Sequence, residues 1–90
     1  MAKGTNEIIR MLFLRRIIGQ NIKKLRKKHN LTQKKLASLA GITQAAIAEY
    51  ETFKWGPSLE TLLLIADALG ESPNTLLEGW ENLFKSTRKM

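Results

Sequence analysis

Gly41 stands between two stretches of helical periodicity, and that pair constrains the chain more than any other feature. Before it, Leu36, Ala37 and Ala40 form an apolar stripe; after it come Ile42, Ile47 and Tyr50. Two short helices meeting at about 90–120° need a residue free to turn between them, and glycine enters φ > 0 without a Cβ penalty. They also need small side chains where one crosses the other, which Ala37 and Ala40 supply. Thr32 precedes the first run and Thr43 the second, each suited to accept from the free N–H groups of a first turn. The spacing predicts two helices packed at a steep angle over residues 33–52. An ordinary α-hairpin is the plainer alternative, but it would not require these apolar positions to fall in register with the glycine.

The same residues belong to a longer series of strings. Ile22-Lys23-Lys24-Leu25-Arg26 is followed by Leu31-Thr32-Gln33-Lys34-Lys35-Leu36-Ala37 and by Ala40-Gly41-Ile42-Thr43-Gln44. Then come Ile47-Ala48-Glu49-Tyr50-Glu51, Pro57-Ser58-Leu59-Glu60-Thr61-Leu62 and Ile65-Ala66-Asp67-Ala68-Leu69-Gly70. In this order the chain resembles the Cro/phage-repressor-like helix-turn-helix family, from about Ile18 to Gly79. The resemblance implies an all-α, compact five-helix domain of the lambda-repressor-like kind that binds operator DNA, usually as a symmetric homodimer. That domain is expected over residues 18–80, with its helix-turn-helix at 33–52. An additional N-terminal helical segment fills residues 1–17 and a tail fills residues 81–90.

Composition agrees independently. Ninety residues with 43% hydrophobic content can fill one modest core, and without cysteine there is no disulfide framework or thiolate metal site. The net charge of +7 favours a polyanionic partner. Its distribution is more telling. Residues 1–35 carry eleven Lys/Arg against Glu7 alone, a net +10, whereas residues 36–84 carry Lys54 against seven acids, a net −6. Individually Lys23, Lys24, Lys27 and Lys28 read as the solvated face of a helix whose buried stripe is Ile18, Ile22 and Leu25. Together they raise the potential that steers a phosphate backbone.

The segment from Asn6 to Gly19 is rich in helix formers, with Arg10, Arg15 and Arg16 interspersed. No stretch approaches the ~20 uncharged apolar residues of a membrane span, and the arginines interrupt any signal-peptide core. It reads as an extra helix, either separate or continuous with the next across Gly19, with Ile9, Leu12, Phe13 and Ile17 packing on the domain or on a partner subunit. Lying on a membrane is the less favoured alternative, and a cytoplasmic protein is expected.

Further on, Ser58 should cap a helix whose apolar positions Leu59, Leu62, Leu63, Ile65, Ala66 and Leu69 are broad enough to be buried on several sides. Gly70 should close it, and Pro73 should start a last helix reaching about Trp80. His29, the only histidine, is expected to satisfy carbonyls at a helix end. With one histidine, no cysteine and singly scattered glycines, no catalytic constellation, metal site or cofactor loop is visible. The chain does not read as an enzyme.

In a motif of this kind the second helix lies in the major groove with its N-terminal residues at base edges. Those residues are Thr43, Gln44, Ala45, Ala48 and Glu49. Gln44 suits adenine N6/N7, Glu49 suits cytosine N4, and the alanines offer only a methyl surface. The helix is poor in long polar side chains, so DNA shape should carry part of the specificity. The resemblance assigns Gln33 to a phosphate and to bracing Gln44, and places Thr32, Thr52 and Lys54 near the DNA backbone. It also implies an ion pair between Arg26 and Glu51. Phe53 stands where the family usually has glycine; because phenylalanine does not readily take φ > 0, the loop from Phe53 to Pro57 is expected to fold differently. The leading expectation is a sequence-specific double-stranded DNA-binding regulator, a repressor at a palindromic operator. An antitoxin that also binds a toxin protein, and a protein-binding scaffold of the same fold, are the alternatives.

Overall fold

A computed structural model describes residues 2–82, with side chains from residue 6 onward. Five helices follow in order: α1 (Ala2–Lys28), α2 (Gln33–Ala40), α3 (Gln44–Glu51), α4 (Leu59–Leu69) and α5 (Pro73–Leu76). Among the described residues there is no strand, and no helix is long and apolar enough to cross a membrane.

Local chemistry sets the helix limits. Thr32, Thr43 and Ser58 are extended and accept from the N–H groups of Lys35, Ala46 and Thr61 at 3.0, 3.1 and 3.2 Å. Ser72 accepts from Asn74 N–H ahead of Pro73, whose missing donor costs nothing in a first turn. The first four helices end alike. Asn30, Gly41, Phe53 and Gly70 take φ of 59°, 75°, 68° and 68°. The next residue's N–H then reaches back to the carbonyl of Arg26, Ala37, Glu49 or Ala66 at 2.9–3.0 Å, satisfying a last-turn acceptor.

Each helix drives one side chain into the centre. Ile22, Leu36, Ile47, Ile65 and Leu76 are fully buried, joined by Leu25, Ala37, Ala40, Leu62, Ala66 and Leu69. At ~1.5–3 kcal/mol for each large side chain buried, these contacts hold α3 on α1 and α2, and α2 on α4.

Three expectations need correction. Helix α4 is not buried on several sides: Leu59, Leu63 and Leu64 remain 46–69% exposed. Its neighbours α1, α2 and α5 meet only the arc of Leu62, Ile65, Ala66 and Leu69. The helix that starts at Pro73 stops at Leu76 rather than near Trp80, because Leu77 closes it and Gly79 turns the chain at φ 99° before residues 80–82 become helical again. His29 serves no helix-end carbonyl through its side chain. Its Nε2 lies 2.7 Å from Glu71 Oε2, which also accepts from Lys28 Nζ at 3.3 Å. These bonds, His29's first, hold the Glu71 carboxyl below its ordinary range.

Helix α1 runs unbroken through Gly19. Twenty-seven residues at ~1.5 Å each span about 40 Å, nearly the whole long axis of a molecule measuring 43 × 21 × 20 Å. The tail expected over residues 81–90 lies, from residue 83 on, outside the described residues.

Candidate nucleic-acid interface

Helix α3 presents a narrow strip to solvent. Ile47 anchors it from below, fully buried; Thr43, Gln44 and Ala45 are exposed, and Ala48 and Glu49 are half-buried beside them. The Thr43 hydroxyl oxygen is engaged by Ala46 N–H at 3.1 Å, which leaves Gln44 as the long polar side chain at the free N-terminal end. Glu49 lies nearer the far end, its Oε2 4.0 Å from exposed Lys54 Nζ.

Beneath the strip, a polar junction fixes the angle between α1, α2 and α3. Arg26 Nε and Nη2 donate to the two carboxylate oxygens of Glu51 at 2.7 and 2.9 Å, and Nη1 donates to Leu31 O at 2.8 Å. Gln33 Nε2 donates to the same carboxylate at 3.0 Å. Two-point guanidinium–carboxylate contact fixes direction as well as distance. Burial pushes the Glu51 carboxyl up, but the bonds from Arg26 and Gln33 and the charges of Arg26 and Lys23 outweigh it and hold the group below its ordinary value. The Glu51 hydrogen bond raises Arg26 in turn.

A second junction joins α1 to the loop that follows α3. Gly19 is buried, and a Cβ there would strike the Tyr50 carbonyl oxygen and lie 2.9 Å from Phe53 Cδ1. Only a hydrogen lets α1 pass this close to the end of α3. Phe53 packs into that gap, with the Arg16 guanidinium 5.7 Å from its ring centroid. Arg15 lies 5.6 Å from the Trp55 ring centroid and its Nη1 donates to Lys54 O at 3.4 Å. The expectation that Phe53 would avoid φ > 0 is therefore overturned. Phe53 takes the left-handed conformation at 68° and closes α3 as a glycine would. Packing on Gly19 and Arg16 offsets the steric cost of that backbone.

Comparison with known proteins agrees with this geometry. Residues 22–76 match the family model described as Helix-turn-helix. The chain belongs to the Cro/phage-repressor-like helix-turn-helix family. It is 40% identical to the immunity repressor of Bacillus phage phi105 over 68 residues, covering 76% of this chain and 46% of that protein. The chain thus spans about half the length of such curated relatives, 46–58% for three of them. The c2 repressor of Salmonella phage P22, solved in complex with synthetic operator 9T, superposes with a TM-score of 0.64 at 35% identity, covering 69% of this chain and 94% of that one. The restriction-modification controller protein C.AhdI from Aeromonas hydrophila superposes with 0.67 at 31% identity and the same coverages.

Against that family pattern, the residues singled out from sequence fall into two groups. Thr43, Gln44, Ala45, Ala48 and Glu49 lie together along α3. Arg26 and Glu51 meet, and Gln33 turns its amide to Glu51 rather than to Gln44. Thr32 accepts from Lys35 N–H, while Thr52 donates its hydroxyl to Ala48 O at 2.9 Å. Lys54 stays exposed beside Glu49. Sequence reasoning missed Arg15, Arg16 and Trp55 as a unit. A repeated arginine–aromatic pairing, Arg15-Arg16 with Phe53 and Trp55, was its only trace.

Proposed function

We propose that this chain binds operator DNA as a transcriptional repressor, with the N-terminal end of α3 in the major groove and two copies reading a palindromic site. The observation that carries this reading is the exposed strip of Thr43, Gln44, Ala45, Ala48 and Glu49 on a helix held rigid by Ile47 and the Arg26–Glu51 pair. The similarity to a repressor solved on its operator supports it. In this arrangement Gln44 reads adenine, Glu49 accepts from cytosine N4, and Ala45 and Ala48 meet thymine methyls. Thr32, Gln33 and Lys54 flank the groove. Gln33 and Lys54 are donors toward phosphate, Thr32 offers the hydroxyl proton it does not use as a cap, and Thr52 contributes only by rotating its hydroxyl away from Ala48. A protein scaffold would leave the strip without a use, and an antitoxin would share it, so DNA is tested first. The proposed setting is the cytoplasm.

Selection of bound sequences from random DNA tests the reading, followed by titration of the selected site with salt. A palindromic consensus and a steep fall of affinity with salt are expected. Gln44→Ala should relax preference at one base pair per half-site, at ~1–3 kcal/mol. Recovery of no consensus, or an affinity indifferent to salt, would defeat it.

A further inference from the structure

The N-terminal half of α1 is the largest feature that DNA binding leaves unused. Ile8, Ile9, Leu12 and Phe13 are 43–61% exposed, and with Arg16 they recur at intervals that place them on one face of the helix. Ile9, Leu12, Phe13 and Arg16 line an open apolar groove whose other wall is Phe53. This goes beyond the operator-binding reading: the geometry points to this face as the seat of a second copy of the chain, the two α1 helices pairing antiparallel about a two-fold axis midway between Arg10 and Met11.

Three properties select that occupant. The first is that the face is its own complement. Turning α1 about that point sets Ile8 opposite the second copy's Phe13 and Ile9 opposite its Leu12, so each large side chain meets another. The second is charge. Arg15 and Arg16 are the charged residues on or beside the stripe from Ile8 to Arg16, Arg10 falling on the other side of the helix. In this register the arginines of the two copies lie at opposite ends of the pair, the two Arg16 residues about 16 Å apart along the helix. A parallel pairing would instead set them side by side. The third is area. Each half-exposed large side chain leaves on the order of 100 Å² uncovered; with Arg16 and Phe53, two such faces together bury about 1,000 Å², the lower edge of a specific interface. The pairing is therefore weak in free protein, rises with concentration and is reinforced when one DNA molecule holds both copies. Because Phe53 walls the groove and also closes α3, the second copy presses on the loop next to the DNA-reading helix.

The test uses the full chain, which lacks cysteine. Sedimentation equilibrium should show a monomer–dimer mixture that shifts toward dimer with concentration. The double variant Leu12→Glu, Phe13→Glu should stay monomeric, with helix content and melting temperature close to wild type because neither side chain is in the core. Under mild oxidation, a mixture of Ile8→Cys and Phe13→Cys chains should cross-link faster than either alone. A wild type that stays monomeric, a double variant that still dimerises, or faster cross-linking within either single variant would each overturn the pairing. Operator affinity is measured separately. Wild type that pairs as described but selects no DNA sequence would refute the operator reading and leave this interface standing. A double variant that still selects a single half-site, several-fold more weakly, would support both.

Discussion

Between Ile18 and Lys28, α1 gives Ile22 and Leu25 to the core and Arg26 to the pair with Glu51. Between Ile8 and Phe13 the same helix holds more large apolar residues, Ile8, Ile9, Met11, Leu12 and Phe13, yet they stay about half exposed. The two halves are alike in residue type and continuous in backbone. What differs is what the remaining chain brings against them: α3 and α5 meet the second half, while the first half has only the Phe53–Trp55 loop alongside. Apolar periodicity records where a helix can bury surface, and the partner elements decide where it does.

The contrast breaks hardest at Arg26. Arg26→Met would leave the Glu51 carboxylate buried with only Gln33 to satisfy it. Losing one member of a buried pair costs ~3–5 kcal/mol, enough to unfold much of a domain this small. Replacing Glu51 with Leu in the same chain should restore most of the loss, since the unpaired charge goes with it. Denaturant unfolding of both variants checks this. Equal stability of single and double variants would mean that the ion pair contributes packing alone.

Next comes the direct comparison of two apolar side chains on one helix. Ile22→Ala should cost ~2–5 kcal/mol by transfer and cavity formation. Leu12→Ala, made on the exposed half, should stay within ~0.5 kcal/mol in the monomer. Thermal melts at low protein concentration suffice. A Leu12→Ala loss as large as that of Ile22→Ala would place the first half of α1 in the fold rather than outside it.

How far the sequence foretold this division depends on the range of the interactions involved. Thr32, Thr43, Ser58, Gly41 and Gly70 were legible as helix limits because each acts on atoms within a few residues. The Arg26–Glu51 pair was legible only through the family resemblance, since twenty-five residues separate its members. Phe53 was misread because its type argues against φ > 0, and the groups that stabilise it, Gly19 and Arg16, lie more than thirty positions away. The exposed arc of α4 escaped for the reason that governs α1: a broad apolar stripe does not say which part is covered. Of the candidate DNA face, the α3 residues were legible from the motif, whereas the turn of Gln33 toward Glu51 required the packed structure.

A smaller effect should appear with acid. Glu51 in the folded chain lies below its ordinary carboxyl value of 4.5, and Glu71 does so at the surface. A carboxylate depressed in the folded state contributes stability that is complete above its unfolded value and is lost as pH falls through the folded one. Melting temperature should therefore hold steady down to about pH 5 and fall below about pH 4.5. Glu51→Gln, less stable throughout, should show a shallower fall over the same window. An unchanged slope would assign the acid sensitivity to other carboxylates, Glu71 beside Lys28 and His29 among them.

The smallest change in stability is expected where the two halves of α1 meet the loop. At Phe53 two effects oppose each other. A non-glycine residue in the left-handed region costs ~1–2 kcal/mol, which Phe53→Gly would remove. The same substitution would delete the ring that packs in the Gly19 gap and the contact with Arg16, worth ~0.5–1 kcal/mol at an exposed site, along with the ring's own burial. The terms nearly cancel, so the melting temperature of the monomer should move little. Self-association should respond more, because Phe53 is one wall of the groove formed by Ile9, Leu12, Phe13 and Arg16. A Phe53→Gly chain that folds normally but dimerises several-fold more weakly would show that the family's glycine position has been given over to holding a second copy. A chain that melts far earlier would show instead that the ring chiefly holds α1 against α3, and the seam would then belong to the buried half of the helix.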